Sequence, residues 1–287
     1  MLRPRVLMTI KRSPAMVLSV LAPAMLLLSP AVSSGNSPLR YDYEFKGTHG
    51  TVANSAPTGP AVHLTLRGSW TPVSDGVRFS GNTSGDASVA YGRPAKGPTI
   101  NTPATAAAGL GTRIVYNAPG NGTCFSDTPN ITQIGRYSPR GPAGQVKIQL
   151  SSCAKRRKNV VMECRYAGSL TASHAPPVAS TLPLINGDAY NVSCRKSPDQ
   201  ANNTATITLT VTRLGAGSGR KTVTNTFTVP ALGLLKTRDY FSVGNKYPLP
   251  APAKNTDQFK GDVTRVVYCA GSAGNVRTCL AGHLPAS

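Results

Sequence analysis

Acidic residues are scarce in this chain: 11 Asp and Glu stand among 287 positions, against 31 Lys and Arg. Hydrolysis of glycosidic bonds needs two carboxyl groups held roughly 5 to 10 Å apart. So few acids, with no ExDxxE-like cluster, give that chemistry little to form from. No GxSxG turn accompanies His49, His63, His174 and His283, and no nucleophile with its base is legible. The cysteines include no CxxC pair, which removes the usual zinc spacings. Long helical runs are missing too, because 28 glycines and 24 prolines interrupt every heptad pattern, while the lack of a glycine period excludes collagen.

No apolar run reaches the ~20 residues that span a bilayer. The segment Ala15 to Leu28 is apolar apart from Ser19 and Pro23, follows Arg3, Arg5, Lys11 and Arg12, and precedes small residues at 30–34. This three-part pattern is that of a signal peptide over residues 1–34, and it predicts a secreted mature chain from Gly35 with no membrane span. The mature part carries 27 basic against 11 acidic residues, a net charge of +16. Such a field favours polyanionic partners.

Cys124, Cys153, Cys164, Cys194, Cys269 and Cys279 all lie in that part, an even number that reads as disulfides. Six cysteines allow 15 pairings. Spacing favours neighbours: Cys269 with Cys279 around a C-terminal loop, Cys164 with Cys194 on adjacent strands, and Cys124 with Cys153.

Alternation with period two dominates the remainder. Val146, Ile148 and Leu150 oppose Lys147 and Gln149; Met162, Cys164 and Tyr166 oppose Glu163 and Arg165; Tyr190, Val192 and Cys194 oppose Asn191, Ser193 and Arg195. Residues 205–212 and 222–229 each alternate with threonine around a Gly-rich turn, which predicts a hairpin with a solvated Thr face. The turn itself, Gly215 to Thr222, has a phosphate-loop flavour but lacks the motif's second glycine and a following helix. No helix of ten residues is legible after the first segment. The expectation is a single all-β domain over residues 35–287, two antiparallel sheets packed as a disulfide-stapled sandwich.

The run Lys155, Arg156, Arg157 and Lys158 falls where a turn joins two strands, and four adjacent cations there could grip phosphate or sulfate. No aromatics interleave them, so stacking on nucleic-acid bases is not expected.

Two stretches carry a family resemblance. Tyr240 to Lys246, with its Gly-Asn ending, followed by Phe259-Lys-Gly261 inside Asn255 to Tyr268, resembles the closing strands of laminin G-like, concanavalin A-like jelly rolls. Leu64 to Trp70 with Gly76-Val-Arg-Phe-Ser-Gly81 is similar to their opening. The signal segment and cysteines are similar to those of secreted actinobacterial proteins. The resemblance spans roughly residues 41–268. It implies a jelly roll whose concave face or loop edge binds an extracellular or cell-wall glycan, and in many members a calcium ion, for which Asp42 and Asp257 are the available oxygen ligands. Thr264 stands where an acid is usual, with Asp262 displaced.

The function expected is non-catalytic, lectin-like carbohydrate binding. A sugar on the exposed strand faces would meet Gln133, Lys147, Gln149, Glu163, Arg165, Asn191 and Arg195, with Trp70 or Tyr91 as a stacking face. The alternatives are a cationic adhesion module for anionic wall polymers, working through residues 155–158, and a glycan-cleaving enzyme with a rearranged acid pair.

Overall fold

The computed structural model describes residues 38–81, 87–118, 128–135, 144–151, 159–171, 176–215, 219–247 and 258–284. All of them belong to one compact unit spanning Asn36–Ser287. The first segment, Cys124, Cys153, residues 155–158, His174 and Asp257 lie outside the described residues.

Among the described residues, two antiparallel sheets of eight strands make a jelly-roll sandwich. Across the first sheet run β15 (Lys221–Pro230), β14 (Thr204–Arg213), β13 (Ala189–Asp199), β8 (Ala107–Tyr116), β18 (Lys260–Gly271), β5 (Gly76–Ser80) and β4 (Trp70–Val73), with β1 (Leu39–Glu44) also paired to β18. The second sheet runs β12 (Val178–Ala179), β11 (Met162–Ala167), β10 (Gln145–Leu150), β9 (Asn130–Ile134), β17 (Phe241–Val243), β6 (Val89–Gly92), β3 (His63–Arg67) and β2 (Thr51–Ala53). A short pair, β7 (Ile100–Thr102) with β16 (Leu235–Thr237), completes the strands.

The apolar members of each alternating pattern meet between the sheets. Val146, Ile148 and Leu150 from one side and Val192, Cys194, Ile207 and Leu209 from the other are buried in one core. Two cross-sheet ties fix the layers. The buried Tyr166 hydroxyl on β11 donates to the carbonyls of Ala108 and Cys194, at 3.1 and 3.0 Å, and satisfies a polar atom that burial would otherwise penalise. Beside it, Cys164 and Cys194 are disulfide-bonded. They join facing sheets rather than adjacent strands, because parity places both side chains inward on strands that belong to different layers. The Thr-rich hairpin forms as expected, with Thr212 opposite Thr222.

One expectation is corrected. A helix, α1 (Ala273–His283), follows β18 and lies on the outer face of the first sheet. Ser272 caps it, its hydroxyl accepting from the Asn275 amide. Val276, Cys279 and Leu280, spaced three and four apart, form its buried stripe. The glycines within the helix hid that stripe. Close packing is possible because β8 presents Gly109 and Gly111: a Cβ at Gly109 would come within 2.6 Å of Leu280, and one at Gly111 within 2.5 Å of Leu284. Cys269 and Cys279 are bonded, so this bridge pins the helix to β18 instead of closing a loop.

Candidate functional site

The outer face of the second sheet is built by register. Thr65 on β3, Tyr91 on β6, Ser242 on β17, Gln133 on β9, Lys147 on β10 and Arg165 on β11 stand side by side, each opposite the next. Five strand spacings give this row a span of about 24 Å. A parallel row holds Asn130, Gln149, Glu163 and Ala179.

At the β3–β6–β17 end the face becomes aromatic. Tyr91 and Tyr247 stack with centroids 3.7 Å apart and planes 6° from parallel, and Tyr240 meets both edge-on at 5.7 and 4.5 Å. Arg67 lies over the Tyr91 ring at 5.4 Å, and Arg93 over Tyr240 at 4.7 Å. The three tyrosines are half-buried and the two arginines exposed. Desolvation and the hydrogen bond with Tyr91 raise the pKa of the Tyr247 hydroxyl, so it remains a neutral donor through the ordinary pH range. Rings with a polar tip and guanidinium groups held over their faces make a surface that can stack on a sugar ring while pairing with its anionic substituents.

The residues expected from strand parity divide into three places. Lys147 and Arg165 are half-exposed on the second-sheet face. Gln133, Gln149 and Glu163 share that face, yet they are buried and bonded within the protein: Gln133 Nε2 donates to the Gly135 carbonyl at 2.6 Å, and Gln149 Nε2 to Glu163 Oε2 at 3.0 Å. Asn191 and Arg195 point away from this face altogether, outward from β13 on the first sheet, where Asn191 donates to the Leu284 carbonyl. Trp70 sits on the edge strand β4 of the first sheet and packs partly against the core, whereas Tyr91 belongs to the second sheet. Strand parity assigns a face within a strand but not the layer to which the strand belongs. Tyr240, Tyr247, Arg67 and Arg93 were missed because they gather from β3, β6, β17 and their flanking loops, and only the pairing order makes them neighbours.

Of the two carboxylates expected to hold calcium, Asp257 lies outside the described residues and Asp42 is already paired. Both Asp42 oxygens accept from Arg265, Nε to Oδ1 at 2.8 Å and Nη2 to Oδ2 at 2.7 Å, with His283 Nδ1 at 3.3 Å. Asp262 is gripped in the same way by Arg78, at 2.6 and 2.9 Å. Among the described residues, no three His, Cys, Asp or Glu side chains gather as a metal site. The third buried carboxylate, Glu163, has Arg165 at 3.8 Å as well as Gln149. Each buried acid among the described residues is thus matched to an arginine, as burial of a charge demands.

No helix among the described residues is long and apolar enough to cross a membrane. No protein-family model matches the chain, and no curated protein does. Among solved structures, the binding domain of Paraclostridial Mosquitocidal Protein 1 aligns with 85% of this chain at a TM-score of 0.52 and 11% identity. The alignment covers 52% of that protein, so this chain spans about half its length. A heptameric SAP-like pentraxin from Limulus polyphemus aligns over 70% of this chain and 77% of its own, with 11% identity and a TM-score of 0.34. An endo-1,3-beta-glucanase from Streptomyces sioyaensis covers 82% and 89%, with 10% identity and a TM-score of 0.34. The likeness to the mosquitocidal protein's binding domain is one of fold, the two-layer β-sandwich described above.

Proposed function

We propose that the protein is a secreted, non-catalytic glycan-binding domain, exported by a signal peptide over residues 1–34, whose second-sheet face holds an acidic polysaccharide. The observation that carries this reading is the Tyr91, Tyr240 and Tyr247 cluster with Arg67 and Arg93 over its rings. Lys147 and Arg165 continue the cationic face along the same row. Uronate or sulfate groups on a chain crossing the strands would meet these cations, while a sugar ring lies on the tyrosines. The arginine partners of the buried acids favour binding over cleavage, because a neighbouring guanidinium holds a carboxylate ionised and so unsuited to act as the general acid that cleavage needs.

Tyr247→Ala removes the outer partner of the stacked pair without touching the core, and a titration with an oligogalacturonate is expected to show a loss of about tenfold in affinity, ~1.4 kcal/mol. Raising salt from about 0.15 to 0.5 M should weaken wild-type binding without abolishing it, since stacking is unscreened. Complete loss in high salt, with Tyr247→Ala unchanged at low salt, would instead identify a cationic adhesion module.

A further inference from the structure

The sheet face opposite the tyrosines carries a second feature that glycan binding by the first does not use. Between α1 and the strands β13, β14 and β15 runs a groove of about 370 Å³. Its floor is the threonine ladder, in which the Thr210 and Thr224 hydroxyls are 3.1 Å apart. Arg195 enters from β13 and Arg277 from α1, with Leu280 and Leu284 forming an apolar wall.

Among the described residues, no carboxylate lines this groove. In this the groove differs from the surroundings of Arg78 and Arg265, each forked onto an aspartate, and of Arg165 and Arg213, which have carboxylates within 3.8 Å. The Arg195 Nε is buried with no hydrogen-bond partner, as is the Arg165 Nε, but Arg165 has the Glu163 carboxylate at 3.8 Å. Burial and then the nearby Arg277 charge lower the Arg195 pKa, the second because the two guanidinium groups repel each other. An anion would relieve the repulsion and satisfy the orphan donor together.

Its shape follows from the directions of the donors. A guanidinium fork meets a planar carboxylate edge-on through two parallel hydrogen bonds, as at Asp42 and Asp262 here. Donors arriving from a strand, a helix and a hydroxyl floor instead match an oxyanion with acceptors on several sides. The volume lies in the range of small-molecule pockets and has room for more than a bare ion, and the leucine wall offers an apolar surface to the remainder.

We propose that this groove is a second binding site, for a sugar bearing a sulfate or phosphate monoester, with the ester between Arg195 and Arg277 and sugar hydroxyls on the threonine floor.

The test is calorimetric titration of the intact protein with glucose 6-sulfate and glucose 6-phosphate, alongside glucose, inorganic sulfate and inorganic phosphate. Saturable binding of one or both esters, with free ions at least tenfold weaker, is the expected result, and the preferred ester identifies the source of the oxyanion. Arg277→Gln, at an exposed helix position that folding does not need, should weaken the ester about tenfold or more, and Tyr247→Ala should leave it unchanged. Ester binding equal in wild type and Arg277→Gln, or equal for ester and free ion, would overturn the proposal. Ester binding lost with Tyr247→Ala and kept with Arg277→Gln would belong to the tyrosine face and overturn the groove, so the two variants keep failure here distinct from failure of the reading of that face.

Discussion

Replacing Cys164 and Cys194 together with alanine is expected to lower the unfolding free energy by about 3 to 4 kcal/mol. The bond closes a loop with a sequence separation of 30, and the chain-entropy relation gives a figure of that size for such a loop. Location adds to it. Both sulfurs are buried in the core between the layers, beside the Tyr166 hydroxyl that bonds to Ala108 and Cys194 of the other sheet. Removing the bridge leaves two small voids and loosens the seam on which that hydroxyl depends. Opening the Cys269 to Cys279 bond closes off less, a separation of 10, and its loss falls on the docking of α1 rather than on the sandwich. Urea unfolding of the two double variants checks both statements. A loss below 1 kcal/mol for the Cys164 and Cys194 variant would show that the sheets need no covalent tie.

The second large effect concerns Lys196. It is 1% exposed, and its ammonium donates to the Ala104 carbonyl at 3.2 Å. Desolvation lowers its pKa from 10.5 to about 8. The sign follows directly: between pH 8 and 10.5 the unfolded chain holds a proton on this lysine that the folded one has released, so stability from this group rises with pH across that window. Below pH 8 the folded state carries the full cost of a charged, buried amine, on the order of 3 kcal/mol. Lys196→Met should therefore be more stable than wild type by about 2 kcal/mol near pH 7, after about 1 kcal/mol for the lost hydrogen bond. That advantage should shrink to nothing by pH 10. Buried tyrosines such as Tyr268, with its hydroxyl pushed up to about 12, act in the opposite direction at high pH, and the difference between the two proteins cancels them. A variant less stable at pH 7, or an advantage independent of pH, would contradict this assignment.

The strands at 145–150, 189–199 and 204–213 were legible because each has one face in the core and one outside it, and antiparallel strands write that division as alternation. The same alternation put Cys164 and Cys194 inward. What it could not supply was the layer, so Asn191 and Arg195 were grouped with Gln149 and Arg165 although a whole sandwich separates the two outer faces. The helix at 273–283 was hidden by its glycines, and its seat on Gly109 and Gly111 is a long-range fit that no local pattern records. Tyr240 and Phe259 were read as closing-strand residues. That Tyr240 and Tyr247 stand on Tyr91 depends on β17 pairing with β6, some 150 residues away in sequence. Asp42 shows the same limit: the acid that the resemblance offers as a calcium ligand is locked by Arg265 from β18, a partner brought to it by the pairing of β1 with β18.

The measurement that bears most directly on function is a map of amide chemical-shift changes when the intact protein is titrated with an oligogalacturonate at about 0.15 M salt. Saturable changes concentrated at Arg67, Tyr91, Arg93, Tyr240 and Tyr247, running on toward Lys147 and Arg165, are the expected result. Changes confined to other surfaces, or none at millimolar ligand, would contradict a glycan-binding role for the tyrosine face.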